Sequence, residues 1–279
     1  DDARQVWIDL LRDEGRVDDA LRLFRKGSSS DTEQWTPALR RQLLEICRET
    51  GREEVLVAQF RELMSAEPSN LEWRSGLSRY FLEGGDRDQA KAAWADYGNR
   101  AVTADEQLQA AYALMELGLD ELALRFANRA ASSVDLRETA ELCIVKLYVD
   151  RGRFDEASSM LTAIEKRAAG KDPVLAEVAG IFERMDRLDR AVQVLSRMRK
   201  AYGGFLGTDL DMKYALLLSK VDRERDALAV WRSLWSKVRS TPRGRYVEDR
   251  MMTVAARLGV LAKIAIELED KLDAGTADT

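Results

Sequence analysis

Gly15-Arg16-Val17-Asp18-Asp19-Ala20 returns in altered form as Gly152-Arg153-Phe154-Asp155-Glu156-Ala157 and as Asp186-Arg187-Leu188-Asp189-Arg190-Ala191. Self-similarity at a period of tens of residues marks a chain built by stacking one supersecondary unit. Anchoring each block on its last residue extends the frame along the whole chain. Ala20, Leu56, Ala90, Ala123, Ala157, Ala191, Ala227 and Ile264 stand 36, 34, 33, 34, 34, 36 and 37 residues apart.

Apolar residues recur at steps of three and four on both sides of each block's opening residue, which reads as two helices meeting at a short turn. In the fifth unit the first helix carries Ile144, Leu147 and Tyr148, and the second carries Ala157, Leu161 and Ile164. Gly15, Gly51, Gly85, Gly118, Gly152 and Gly259 stand at the turn, with Asp186 and Asp222 in the same place elsewhere. A residue there must take the left-handed conformation that closes a helix, which glycine does freely and aspartate tolerates. Three residues later come Asp18, Glu54, Asp88, Glu121, Asp155 and Asp189, placed to cap the second helix or to complement its positive end. The small anchor lets neighbouring helices approach closely. Four residues beyond it, Phe24, Phe60, Trp94, Leu161, Leu195, Trp231 and Leu268 supply bulk, and Phe126 substitutes for the small Ala127. One hairpin cannot bury such a face, so each unit must lean on the next.

The spacing, the turn, the small anchor and the small first-helix residues Ser78, Ala111, Ala179 and Ala215 resemble the tetratricopeptide-repeat (TPR) family over nearly the whole chain. The resemblance implies an all-α fold, a right-handed α-solenoid of about eight TPR-like helix hairpins. As one domain over 1–279, the units run roughly 1–34, 37–70, 71–103, 104–137, 138–171, 172–207, 208–244 and 245–272, followed by a polar tail at 273–279. The chain departs from the family pattern where Trp is favoured early in the first helix, since Arg4, Arg40, Arg74, Gln107, Glu141, Leu175, Asp211 and Glu248 stand there. Gly-, Ser- and Pro-bearing stretches at 26–31, 168–173, 202–207 and 240–244 read as insertions between units, because the frame resumes after each.

The chain has no histidine, which removes His general bases, Ser-His-Asp and Cys-His sites and the commonest transition-metal ligand. No phosphate-cradling loop is present, since Gly170-Lys171-Asp172 lacks the rest of the P-loop pattern. The chain therefore reads as a non-enzyme with no cofactor. Cys47 and Cys143 lie on first helices of units two and five, three helical layers apart, and are expected to stay unpaired buried thiols. A net charge of −5 gives no global attraction to nucleic acid. No apolar run approaches the roughly 20 residues of a membrane helix, so this segment is not expected to insert. The start without Met and the polar end read as a segment of something longer, which leaves cytoplasm and periplasm both open.

In the TPR family the first helix of each unit lines the concave surface, and positions 5, 9, 12 and 13 of the unit face a partner. Units one to three present mostly charged groups there. Units four and five change character, with Leu108, Tyr112, Met115 and Glu116 followed by Leu142, Lys146, Val149 and Asp150. Leu108, Tyr112, Met115, Leu142, Lys146 and Val149 are accordingly the candidate partner-binding residues. The family's Lys/Asn clamp for a terminal carboxylate has no counterpart at Gln5, Asp9, Arg41 and Glu45. The expectation is a protein–protein interaction scaffold or adaptor holding a protein or peptide, with bacterial export or envelope assembly as one setting. RNA binding by a helical repeat and a regulatory arm on an enzyme outside this segment are the alternatives. The last unit carries Leu261, Ile264, Leu268 and Leu272 on one face, with Val260 and Ile266 beside it, where a terminal cap would be polar, which points to an end-to-end contact.

Overall fold

The computed structural model describes residues 53–99 and 103–266, with 6, 10, 11, 13–16, 19 and 51 before them. Regular structure among the described residues is helical throughout, and the chain divides into two compact units, Asp1–Arg129 and Ala130–Thr279. The first holds α1 (Glu53–Ala66), α2 (Leu71–Glu83), α3 (Arg87–Ala92), a 3-10 turn (Tyr97–Asn99), α4 (Ala104–Glu116) and α5 (Asp120–Ala130, whose last residue lies past the division). The second holds α6 (Arg137–Asp150), α7 (Phe154–Arg167), α8 (Asp172–Arg184), α9 (Leu188–Ala201), α10 (Thr208–Lys220), α11 (Glu224–Val238) and α12 (Gly244–Arg257), followed by a helical turn at 261–266.

Each hairpin reverses over three residues, as between α6 and α7 or α10 and α11. The turn positions read from sequence all take positive φ, from Gly15 at 71° to Gly259 at 70°, with Asp186 at 56° and Asp222 at 58°. The residue after each such turn then donates its N–H five residues back: Arg153 to Tyr148 O at 2.8 Å, Arg187 to Phe182 O at 2.9 Å, Arg223 to Leu218 O at 2.9 Å. This bond satisfies a carbonyl that the helix end leaves open. An L-residue in this conformation costs about 1–2 kcal/mol, which the stacked hairpins must offset at Asp186 and Asp222.

The anchors Ala90, Ala123, Ala157, Ala191 and Ala227 are fully inaccessible, and so are Ser78, Ala111, Ala179 and Ala215 on the facing helices. Phe60, Trp94, Phe126, Leu161, Leu195 and Trp231 are buried beside them. In the second unit these residues belong to one continuous apolar core from Leu142 to Ile264. The acidic residues after the turn do not cap through their side chains at α7 and α9; Asp155 and Asp189 sit in the first turn, where they complement the helix dipole. Side-chain caps come instead from Asn70 on α2, Asp86 on α3 and Thr103 on α4, the last reciprocated by Glu106.

The second helix of the unit at 71–103 stops short, at Ala92. Arg74, buried on α2, donates to the carbonyl of Ala93 at 2.8 Å and pairs with Asp96 at 2.6 and 3.1 Å. Its guanidinium also lies 4.9 Å from the Tyr97 ring centroid. With the Ala93 carbonyl engaged, the chain tightens. Trp94, Ala95 and Tyr97 donate three residues back, to Lys91, Ala92 and Trp94 at 3.1–3.2 Å.

Candidate functional site

The partner stripe read from sequence divides between the two units. In the first, Leu108 is buried on α4 while Tyr112 and Met115 are half-buried. In the second, Leu142 is buried in the core of α6 and Val149 packs against that core. Lys146 is half-buried and ion-paired with Glu177 at 3.1 Å. Leu108 and Leu142, each 5 % exposed, therefore offer a partner little apolar surface. The groove positions of the first two sequence units lie, Asp13 apart, outside the described residues, as does Cys47.

A larger open surface lies in the second unit between α10 and α12. Met212, Leu216 and Ser219 on α10 and Tyr246, Thr253 and Val254 on α12 line a groove of about 640 Å³, with Trp231 of α11 beneath. Leu216 and Tyr246 are 36 % and 42 % exposed, so large apolar groups face solvent in one place. The rim is cationic: Lys213, Lys220, Arg250 and Arg257 against Glu183 and Asp209. Glu183 serves two lysines, Lys213 at 3.2 Å and Lys220 at 2.9 Å. Burial works against the Glu183 charge, but hydrogen bonds from Lys220 and Lys213 outweigh it and hold the carboxyl below its usual range. Arg257 reaches Glu224 at 3.0 Å, and Arg243 pairs with Asp209. Arg250 makes no ion pair among the described residues and lies 5.2 Å from the Tyr246 ring centroid.

The frame used for the units at 104–137 and 138–171 also finds this groove. Positions 5, 9, 12 and 13 of the unit at 208–244 are Met212, Leu216, Ser219 and Lys220, all lining it. Tyr246 and Arg250 of the next unit fall outside that numbering and carry no signal in the sequence.

Other side chains take structural roles. Cys143 is buried, and loss of solvent pushes its thiol up to about 11, which leaves it protonated and unreactive at neutral pH. Phe205 and Leu206 of the Gly-rich loop fold back on the core, with Lys237 Nζ 4.5 Å from the Phe205 ring centroid. Trp73, Trp94, Trp231 and Trp235 are all buried. Of the terminal apolar face, Leu261 and Ile266 are exposed on the last described turn, whereas Ile264 turns into the core of the second unit and is buried. Among the described residues no group of three or more His, Cys, Asp or Glu could hold a metal ion, and no helix is long and apolar enough to cross a membrane.

No protein-family model and no curated protein matches the chain in sequence. Solved structures do match in shape. The structure of Naa15/Naa10 bound to HypK-THB contains a chain that aligns at TM-score 0.50 and 15% identity, over 95% of this chain and 40% of that one. The C-terminal part of a TPR repeat-containing protein from Cytophaga hutchinsonii aligns at TM-score 0.46 and 14% identity, over 84% of this chain and 91% of that one. A tetratricopeptide repeat protein from Parabacteroides merdae aligns at TM-score 0.39 and 13% identity, over 91% of this chain and 98% of that one. The repeated hairpin, its positive-φ turns and its buried small-residue anchors make this an all-α, TPR-like helical-repeat fold, and the alignment at TM-score 0.50 agrees with it, speaking at that identity to the fold alone.

Proposed function

We propose that the chain is a non-catalytic protein-interaction scaffold, and that its groove between α10 and α12 holds an extended peptide segment combining carboxylates with a large apolar side chain. The observation that carries this is the pairing of exposed Leu216 and Tyr246 with a rim of four cations against two carboxylates, on a chain whose net charge is −5. Exposed apolar groups that cluster mark contact surfaces, and a local charge opposite to the global one selects a partner of complementary sign. Glu183 and Asp209 on the rim and the net charge of −5 favour a peptide over single-stranded RNA, whose phosphates would meet both carboxylates.

The test is fluorescence anisotropy with two peptide pools of equal apolar content, one rich in Asp and Glu and one in Lys and Arg, and with oligouridylate as a third ligand. The acidic pool should bind at least tenfold tighter. Lys213→Glu with Arg250→Glu should remove that preference while circular dichroism stays unchanged. Equal binding of both pools, or tighter binding of RNA, would count against the reading. Tyr112 and Met115 in the first unit, and Lys146 and Val149 in the second, are proposed as further contacts. Tyr112→Ala should weaken a partner found with the groove by about 2 kcal/mol, the scale of an interface hot spot.

A further inference from the structure

A second cleft shares no lining residue with the groove, and its chemistry points elsewhere. It lies where the C-terminal ends of α7 and α9 meet the start of α8, and encloses about 470 Å³. That volume falls in the range of sites for small organic molecules. Its walls are Leu175, Val194, Met198 and Ala201. Val194 and Met198 belong to the buried core, and Leu175 packs against it, so the floor is rigid.

The polar groups of the cleft are not equally satisfied. Glu165 is taken up by Arg197 at 2.6 Å and Arg190 at 3.3 Å and is not free to receive a ligand. Asp172, at the first turn of α8, differs: its Oδ1 is buried and has no hydrogen-bond partner. A buried acceptor without a donor costs about 1–3 kcal/mol, more for a charged group, and a ligand that supplies the donor regains it. Beside it stands Tyr202, and the nearby Asp172 carboxylate pushes the pKa of its hydroxyl up. Tyr202 is 49 % exposed and is followed by Gly203 and Gly204, both at positive φ.

We propose that this cleft binds a compact organic ammonium ion, its aliphatic body on Leu175, Val194, Met198 and Ala201 and its charged head donating to Asp172. A carboxylate with an open lone pair selects a cation over an isosteric alcohol, while the apolar walls exclude strongly hydrated inorganic cations. The site stands independently of the peptide groove. The shared chemistry is a primary ammonium on an alkyl stem, whose source is either a free amine or a lysine side chain.

The full chain, labelled at its methionine methyl groups, is titrated by NMR with hexylammonium, with hexanol and with Nα-acetyl-lysine methylamide, following the Met198 methyl signal. Hexylammonium should bind at least tenfold tighter than hexanol, and Asp172→Asn should abolish that difference. Tighter binding of hexylammonium than of the lysine derivative assigns the site to free amines; the reverse assigns it to a lysine side chain and overturns the free-ligand reading. Ala201→Phe, which fills the mouth of the cleft from an exposed position, should weaken every ligand at least tenfold and keeps the test decisive if Asp172→Asn does not fold. Equal affinity for hexylammonium and hexanol, a preference that survives Asp172→Asn, or undiminished binding to Ala201→Phe overturns the proposal.

Discussion

The hydroxyl of Ser78 accepts the indole N–H of Trp94 at 2.8 Å and donates in turn to the carbonyl oxygen of Ala90 at 2.9 Å. Three positions of one repeat, the small residue of the first helix, the anchor of the second and the bulky residue four beyond it, thus close into one buried node. Ser78→Ala keeps the volume nearly unchanged but leaves the Trp94 N–H without its acceptor. The expected cost is about 1–3 kcal/mol. Urea denaturation followed by tryptophan fluorescence checks it, and an unchanged midpoint would show the node to be ornamental.

Arg74 and Asp96 form a pair of unequal burial, the Arg74 side chain 1 % exposed and that of Asp96 58 %. Removing the carboxylate strands a buried guanidinium, yet solvent already screens the partner, so the loss should fall below that of a fully buried pair. Asp96→Ala is expected to cost about 1–2 kcal/mol. Arg74→Met in the same chain should recover part of it by taking the unpaired charge away. A double variant less stable than Asp96→Ala alone would mean that the bond to the Ala93 carbonyl, not the ion pair, is what Arg74 contributes.

Two glycines outside the turns should respond in opposite ways to alanine. A Cβ on Gly244 would stand 2.6 Å from the carbonyl oxygen of Arg239 and 2.8 Å from that of Val238, both backbone atoms that cannot step aside. Gly244→Ala is expected to destabilise by roughly 2 kcal/mol. A Cβ on Gly180, inside α8, meets only the mobile end of Lys213 at 3.3 Å. Gly180→Ala should be neutral or gain up to about 1 kcal/mol through helix propensity. Thermal melts of the two variants against the parent separate these outcomes.

Asp211 is wholly buried on α10 and reaches Arg199 at 3.2 Å, while its second oxygen has no partner. Burial raises its pKa, and the charge and hydrogen bond of Arg199 and the backbone N–H of Leu206 only partly oppose this. The folded chain therefore holds this proton to higher pH than the unfolded chain does. Its contribution to stability is greatest below the unfolded carboxylate value and is lost as pH rises through the folded one. Asp211→Asn should raise the melting temperature at pH 7 and lose that advantage progressively as pH falls toward 4. A variant less stable than the parent at pH 7 would show that the Arg199 pair outweighs the cost of burying the charge.

The path of the backbone at the turns was legible in the sequence because it is decided locally. A glycine at a fixed place in the frame takes left-handed φ freely and an aspartate there tolerates it once the hairpins stack, and Gly85, Gly118, Gly152, Asp186, Asp222 and Gly259 all adopt it. The anchors were legible for a related reason: a small residue recurring in register marks where helices must touch, and Ala90 through Ala227 are indeed inaccessible. The end of α3 was not legible. It depends on Arg74, which lies 19 residues before the carbonyl it captures and occupies a position where the family pattern asks for Trp.

The site was only half legible. Periodicity assigns Leu108, Leu142 and Met212 the same position in their units, yet the first two are buried while Met212 is half-buried and opens onto a cationic groove completed by Tyr246 and Arg250 from the next unit. Sequence determined the repeat, the turns and the helical faces, since these follow from residues a few places apart. Which of those faces stays open, and which buried polar atom lacks a partner, was decided only by tertiary structure, because exposure and hydrogen bonding are settled by side chains that arrive from helices tens of residues away.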